Sequence, residues 1–201
     1  MRRVIDFVLA GLVLLVTAPL IAGAAAAIRL ESAGSPLYRQ RRVGRDGHEF
    51  DVLKLRTMVS GAESLGAGLA VEAGDSRITR VGRLLRRTSV DELPNLVNVL
   101  RGEMAIVGPR PTVAAQVARY SDRQRRRLAV RPGITGWAQV NGRASLPWDE
   151  RIELDIWYIE NRSLRLDARI LWRSVRLIFG GQDLYRTDGP AWRDPPAGRQ
   201  R

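Results

Sequence analysis

Two adjacent carboxylates, Asp91 and Glu92, lie in the stretch RRTSVDELPNLVNVLRGEMAIVGPRP, residues 86–111, with Arg86 and Arg87 before them and Arg110 after. A carboxylate at a helix mouth flanked by guanidinium groups favours its ionised form, because the helix dipole and the cations both stabilise negative charge. An ionised carboxylate suits a nucleophile better than an acid. The same cationic surroundings would hold a phosphate dianion through forked arginine hydrogen bonds. Phosphorus is therefore the expected electrophile, and an aspartyl-phosphate type of intermediate the expected chemistry.

The element that must position the pair is a helix. Leu93, Leu96, Val97 and Leu100 recur at i, i+3, i+4 and i+7, and Gly102 suits the left-handed residue that ends such a helix. Its start has two readings. Ser89 with Glu92 three residues later is a capping-box pattern, which would make the acidic pair purely structural. Pro94 opposes this, since a helix capped at Ser89 places the ring at its fifth position, against the carbonyl of Val90. With Asp91 as the cap, Pro94 falls in the first turn and one oxygen of Asp91 stays free. After the helix, Met104 to Val107 reads as a short strand. Pro109 and Pro111 then fix the backbone on either side of Arg110 and aim its guanidinium, the alternative being an ordinary loop with an exposed arginine.

Upstream of this stretch, SPLYRQRRV, the turn residues 44–47 and EFDVLKLRTM read as a β-hairpin. Gly61 to Gly74 reads as a loop, and VGRLLRR as a basic helix ending just before the acidic pair. Downstream, residues 112–130 predict one amphipathic helix whose Arg123, Arg125, Arg126 and Arg127 form a solvated face or touch lipid headgroups. RPGITGWAQVNGR, 131–143, packs three glycines around Trp137, as a loop does when backbone must approach a ligand. Pro147 and Trp148 open a helix with Ile152, Ile156 and Ile159 on one face. A last helix runs from Asp167 to the glycines at 180 and 181, and the tail from Arg186 has the composition of a disordered segment.

Phe7 to Ile28 contains no charged residue and is long enough to cross a bilayer core of about 30 Å. Three arrangements fit. A cleavable signal peptide matches Arg2, Arg3 and the small residues at 22–26. A single span is the second. The third is a re-entrant segment, because Arg2 and Arg3 precede it, Arg29, Arg39, Arg41 and Arg42 follow it, and Pro19 favours a bend midway.

Composition narrows the partners. The 201 residues carry 33 Lys+Arg against 21 Asp+Glu, a formal charge of +12, and Lys54 is the one lysine. Such a balance points to anionic partners. The absence of cysteine excludes disulfides and the usual zinc sites, and one histidine, His48, leaves a Ser-His mechanism little to draw on. Basic charge alone also permits a membrane-tethered protein that binds nucleic acid or an anionic polymer. No helix-turn-helix, RNA-binding or zinc-finger pattern supports it, so nucleic acid is not an expected partner.

Taken together, KLRTM (54–58), DSRIT (75–79), SVDELPNLVNVLRGEM (89–104), VGPRP (107–111), RPGITGWAQVNGR (131–143) and ELDIWYIEN (153–161) closely resemble the bacterial sugar transferases, the monotopic polyprenyl-phosphate phosphoglycosyl transferases. The resemblance covers about residues 2–185. It implies an α+β fold: one helix-rich catalytic domain with a short β-hairpin (31–185), a re-entrant membrane helix before it (1–30) and a tail after it (186–201). It further implies that Asp91 attacks the sugar-bearing phosphorus of a UDP-sugar, with Glu92 assisting in proton transfer or metal binding. Lys54, Arg56, Arg86, Pro109, Arg110, Pro111 and Arg143 would bind the substrates. Mg2+, held by Asp91 and Glu92, undecaprenyl phosphate as acceptor, membrane lipid, and a catalytic domain on the cytoplasmic face of the bacterial inner membrane complete the expectation. Two departures stand out: Ala18 precedes Pro19 where the family commonly has serine, and Ala144 follows Arg143 where asparagine is usual.

Overall fold

The computed structural model describes residues 1–64, 74–142 and 146–179. Arg143, most of the loop predicted at 61–74 and the tail from 186 lie outside the described residues. The first helix, α1 (Arg2–Glu31), is continuous, with Pro19 inside it. Thr17 donates its hydroxyl to the Val13 carbonyl at 2.7 Å, two residues before the proline. A back-bond of this kind bends helices, and Thr17 supplies it where position 18 offers only alanine.

Small and branched residues at 10, 14, 21, 24 and 28, each spaced by three, four or seven from the last, give α1 one face that packs on the rest of the chain. Ala10 and Leu14 join Phe50, Val52, Leu96, Val99 and Met104 in one core cluster, while Ala24 and Ile28 join Leu55 and Leu85 in another. The opposite face leaves Phe7, Val8, Leu12, Leu15, Val16 and Leu20 exposed. An uncovered apolar strip of that length suits lipid better than water. Both ends of the helix bond to one body. At the start Arg3 donates to the Leu100 carbonyl at 2.8 Å, Asp6 accepts from the Ile106 amide at 3.2 Å and Arg2 pairs with Asp167. At the finish Glu31 accepts from the amides of Arg80 and Val81 at 2.7 and 3.0 Å.

The expected hairpin forms from β1 (Leu37–Val43) and β2 (Glu49–Leu55), antiparallel, with Leu37 opposite Leu55 and Val43 opposite Glu49. Side chains alternate along a strand, so Lys54 shares a face with the core residues Phe50 and Val52. Helix α2 (Arg80–Thr88) is capped by Thr79, whose hydroxyl accepts from the Gly82 amide, and it ends at Ser89 with φ 57°. A 3₁₀ turn, Val90–Glu92, follows, then α3 (Asn95–Arg101), which Gly102 closes at φ 86°. The capping expectation is not met: α3 begins after Pro94, and neither Ser89 nor Asp91 caps it. Proline at the cap position ends the preceding turn, and the acidic pair is left on the turn.

The predicted strand appears one residue later, as β3 (Ala105–Val107), paired parallel with β4 (Gly133–Thr135). Residues 112–130 are not one helix. They form α4 (Ala114–Val117), α5 (Asp122–Arg125) and a 3₁₀ turn at Arg126–Ala129. Ser121 starts α5 with a capping box to Gln124, and this local signal overrides the longer amphipathic period. After β4 come α6 (Trp137–Val140), α7 (Trp148–Glu160) and α8 (Leu164–Phe179). The last helix begins before Asp167 because Ser163 accepts from the Leu166 amide at 3.2 Å. Ile152, Ile156 and Tyr158 are buried, whereas Trp157 is 41% exposed and stacks on Trp137 with ring centroids 5.0 Å apart.

Candidate active site

The turn at Val90–Glu92 sits between two elements that fix it. From the front, β2 delivers Lys54, whose Nζ donates to Glu92 Oε1 at 2.7 Å. From behind, α3 is fastened to β2 by Asn98, a fully buried residue whose Oδ1 accepts from the Leu53 amide at 3.1 Å and whose Nδ2 donates to the Asp51 carbonyl at 2.7 Å. Arg110 adds the third side: its Nη2 donates to the same Glu92 Oε1 at 2.8 Å. Arg86, on α2, donates from Nε to Thr57 Oγ1 at 2.8 Å and acts electrostatically on Asp91.

The two carboxylates have been driven apart. Glu92 is largely withdrawn from solvent, which alone would raise its pKa, but Arg110 and Lys54 outweigh this desolvation and hold it well below the usual carboxylate range. It stays ionised. Asp91, 3% exposed, is pushed up from 3.8 to about 6, by burial first and the Glu92 charge second, against the pull of Lys54, Arg86 and Arg110. Its Oδ1 is buried with no hydrogen-bond partner. Near neutral pH Asp91 is ionised, unsolvated on that oxygen and surrounded by cations. Burial in turn lowers Lys54.

A cleft of about 580 Å3 borders this group. Ser89, Glu92, Arg110, Arg42 and Arg151 give it charged and polar walls; Val13 of α1 with Leu171, Val175 and Ile178 of α8 give it apolar ones. The match to known sequences decides the family: the model for bacterial sugar transferases covers residues 1–181. The chain belongs to the bacterial sugar transferase family. Among relatives of this sugar transferase, an uncharacterized sugar transferase of Bacillus subtilis, EpsL, is 39% identical over 94% of this chain and 92% of its own. The UDP-glucose:undecaprenyl-phosphate glucose-1-phosphate transferase of Caulobacter vibrioides is 45% identical over 92% of this chain and 72% of its own. A UDP-N-acetylgalactosamine-undecaprenyl-phosphate N-acetylgalactosaminephosphotransferase of Aeromonas hydrophila is 40% identical over 90% of this chain, and the match spans 44% of that relative.

Within the sugar transferase, Asp91, Glu92, Lys54, Arg86 and Arg110 come together, with Pro109 and Pro111 framing Arg110. Arg56 does not join them. Its guanidinium donates to the carbonyls of Ser32 and Ala33 at 2.7 and 2.8 Å and so ties down the exit of α1; Arg56 lies just past the end of β2, where the strand's alternation no longer sets its direction. Arg87 is exposed, and Lys54 takes the place expected of it beside the pair. The glycines of 131–143 are used for backbone packing. A Cβ on Gly133 would lie 2.1 Å from the Gly108 nitrogen, and one on Gly136 2.2 Å from the Gly108 carbonyl oxygen, so they let β3 and β4 close beside the arginine loop. Arg127, expected on a solvated face, is 5% exposed and paired with Asp155 at 2.7 Å. For a metal, no group of three or more His, Cys, Asp or Glu occurs among the described residues. Asp91 and Glu92, with the orphaned Asp91 Oδ1, fit Mg2+, which takes one or two carboxylates and completes its shell with substrate phosphate and water.

Proposed function

We propose that this sugar transferase moves a sugar 1-phosphate from a UDP-sugar to undecaprenyl phosphate through a covalent intermediate on Asp91, and so begins assembly of a surface glycan. The observation that carries this reading is Asp91 itself, a buried carboxylate with an unpartnered oxygen amid Lys54, Arg86 and Arg110. Buried polar atoms are paired in the great majority of cases, and the exceptions cluster where chemistry needs them. Relatives named as sugar-phosphate transferases from UDP-glucose and from UDP-N-acetylgalactosamine to undecaprenyl phosphate support the substrate class.

In the first displacement an Asp91 oxygen attacks the sugar-bearing phosphorus. The phosphoanhydride bond breaks, and UMP leaves with the bridging oxygen and its electron pair. Asp91 now holds the sugar as an acyl phosphate. A phosphate oxygen of undecaprenyl phosphate then attacks the same phosphorus, and Asp91 leaves as a carboxylate. Glu92 holds Lys54 and Arg110 where they meet the diphosphate, and Arg110 supplies forked donors to phosphate oxygens. Mg2+, held by Asp91 and Glu92, would neutralise the charge that builds on departing UMP. The apolar walls from α1 and α8 suit a prenyl chain. The attachment of both ends of α1 to one body supports a re-entrant arrangement with both ends on the cytoplasmic face.

The test is intact mass spectrometry of detergent-purified protein, quenched after mixing with UDP-glucose or UDP-N-acetylgalactosamine and no lipid. A sugar-phosphate adduct that maps to Asp91, and that Asp91→Asn lacks, is expected. A fully active Asp91→Asn protein, or transfer that requires both substrates bound together, overturns the covalent reading.

A further inference from the structure

Pro109 fixes its own φ and Pro111 confines Arg110 to extended backbone, but neither ring holds the peptide group of Arg110 against the rest of the protein, and the direction of its side chain needs that further constraint. Arg127 provides one. Buried in the 3₁₀ turn after α5, it spends its donors on three acceptors: Nε on Asp155 Oδ2, Nη1 on the Tyr120 hydroxyl and Nη2 on the Arg110 carbonyl, each at 2.7 Å. Its guanidinium also lies over the Trp148 ring, 5.5 Å from the centroid. Asp155 comes from α7 and Tyr120 from the segment between α4 and α5, and both are buried. The carbonyl of Arg110 is thus tied to a rigid, planar fork anchored in two other elements. A buried pair of this kind is a weak source of stability, because desolvation offsets much of the attraction and apolar replacements are often as stable. What it supplies is geometry.

We infer that Arg127, held by Asp155 and Tyr120, is a positioning residue for Arg110: by pinning the Arg110 carbonyl it sets the approach of the Arg110 guanidinium to Glu92 and to substrate phosphate. The inference rests on the part given to Arg110 in the proposed reaction. Its test is a mutant cycle. Arg127→Met, Asp155→Leu and Tyr120→Phe together replace the buried polar group with apolar side chains, and thermal unfolding reports whether the protein folds. UMP release is measured with undecaprenyl phosphate and either UDP-glucose or UDP-N-acetylgalactosamine, in the native background and in Arg110→Ala.

The replacement should lower kcat/KM by about tenfold or more when Arg110 is present, and by less than about twofold when it is alanine, since the group acts through that side chain. An equal loss in both backgrounds, or no loss in the first, overturns the positioning role. Should the triple variant show no cooperative unfolding transition, Arg127→Lys carries the same cycle: it keeps a charge beside Asp155 but cannot reach three acceptors with a rigid fork. Native protein that releases no UMP from either sugar overturns the proposed reaction instead, so the two failures are distinct.

Discussion

Asp91→Asn should make the protein more stable while removing its chemistry. In the folded chain Asp91 ionises at about 6, against 3.8 for an ordinary aspartate, so above that pH the fold bears the cost of a buried charge. The difference, at about 1.4 kcal/mol for each tenfold change in proton affinity, comes to about 3 kcal/mol. Asparagine keeps the shape and carries no charge. For a chain of this size, 1 kcal/mol moves the melting temperature by roughly 2–4 °C, which gives an increase of roughly 6–12 °C. The sign follows from linkage: a carboxylate raised in the folded state lowers stability above its folded pKa, and this loss disappears as pH falls toward the unfolded value. The advantage of asparagine should therefore be full at pH 8, reduced by only about 0.4 kcal/mol near pH 6, and down to about a fifth of its full value near pH 4. Thermal unfolding in one detergent at these three values measures it. A helix cap predicts no gain, because asparagine caps as well as aspartate. An Asp91→Asn protein no more stable than the native one at pH 8, or one whose advantage persists unchanged at pH 4, would refute the reasoning.

Three further outcomes are expected. Adduct formation in single turnover should follow ionised Asp91, at half its plateau near pH 6 and about a tenth of it near pH 5; a flat profile across that range would separate the nucleophile from Asp91. Arg110→Lys keeps the charge but loses the fork, and should cost at least about tenfold in kcat/KM, or about 1.4 kcal/mol of transition-state stabilisation. A cysteine placed ahead of Arg2 and another at Ser35→Cys should label from the same side of inverted membrane vesicles, whereas labelling from opposite sides would mean that α1 spans.

What the sequence reveals of the site follows the distance between partners. Asp91 and Glu92 are sequence neighbours, and Arg110 returns to them after one short helix and one short strand, so the motif that carries all three is compact in sequence. Arg127 pairs with Asp155, 28 residues on, and Asn98 with the Leu53 amide, 45 residues back, and no local periodicity encodes either meeting. Arg127 sits in a run of arginines that reads as a solvated face, and the carboxylate that draws it inward belongs to another helix. Arg56 shows the converse. It stands two places from Lys54, in the same motif, yet it serves the end of α1, since which backbone carbonyls a side chain meets is set by tertiary packing. Pro94 argues against a helix capped at Ser89, but gives no sign that Asp91 remains on a separate turn with an oxygen unpartnered.

The packing of Ala10 and Leu14 against Phe50, Val52, Leu96 and Val99 means that α1 is no detachable tether. The helix with the exposed apolar strip is also a wall of the cluster that seats α3 against β2, and hence of the turn that carries Asp91. A nascent chain can therefore complete its catalytic core only when its first thirty residues have found their place beside it, after the hairpin and α3 have left the ribosome. Docking of α1 and folding of the core become a single event, and a shortened chain that begins at Ser32 would expose this core to water and yield aggregate in place of a soluble enzyme.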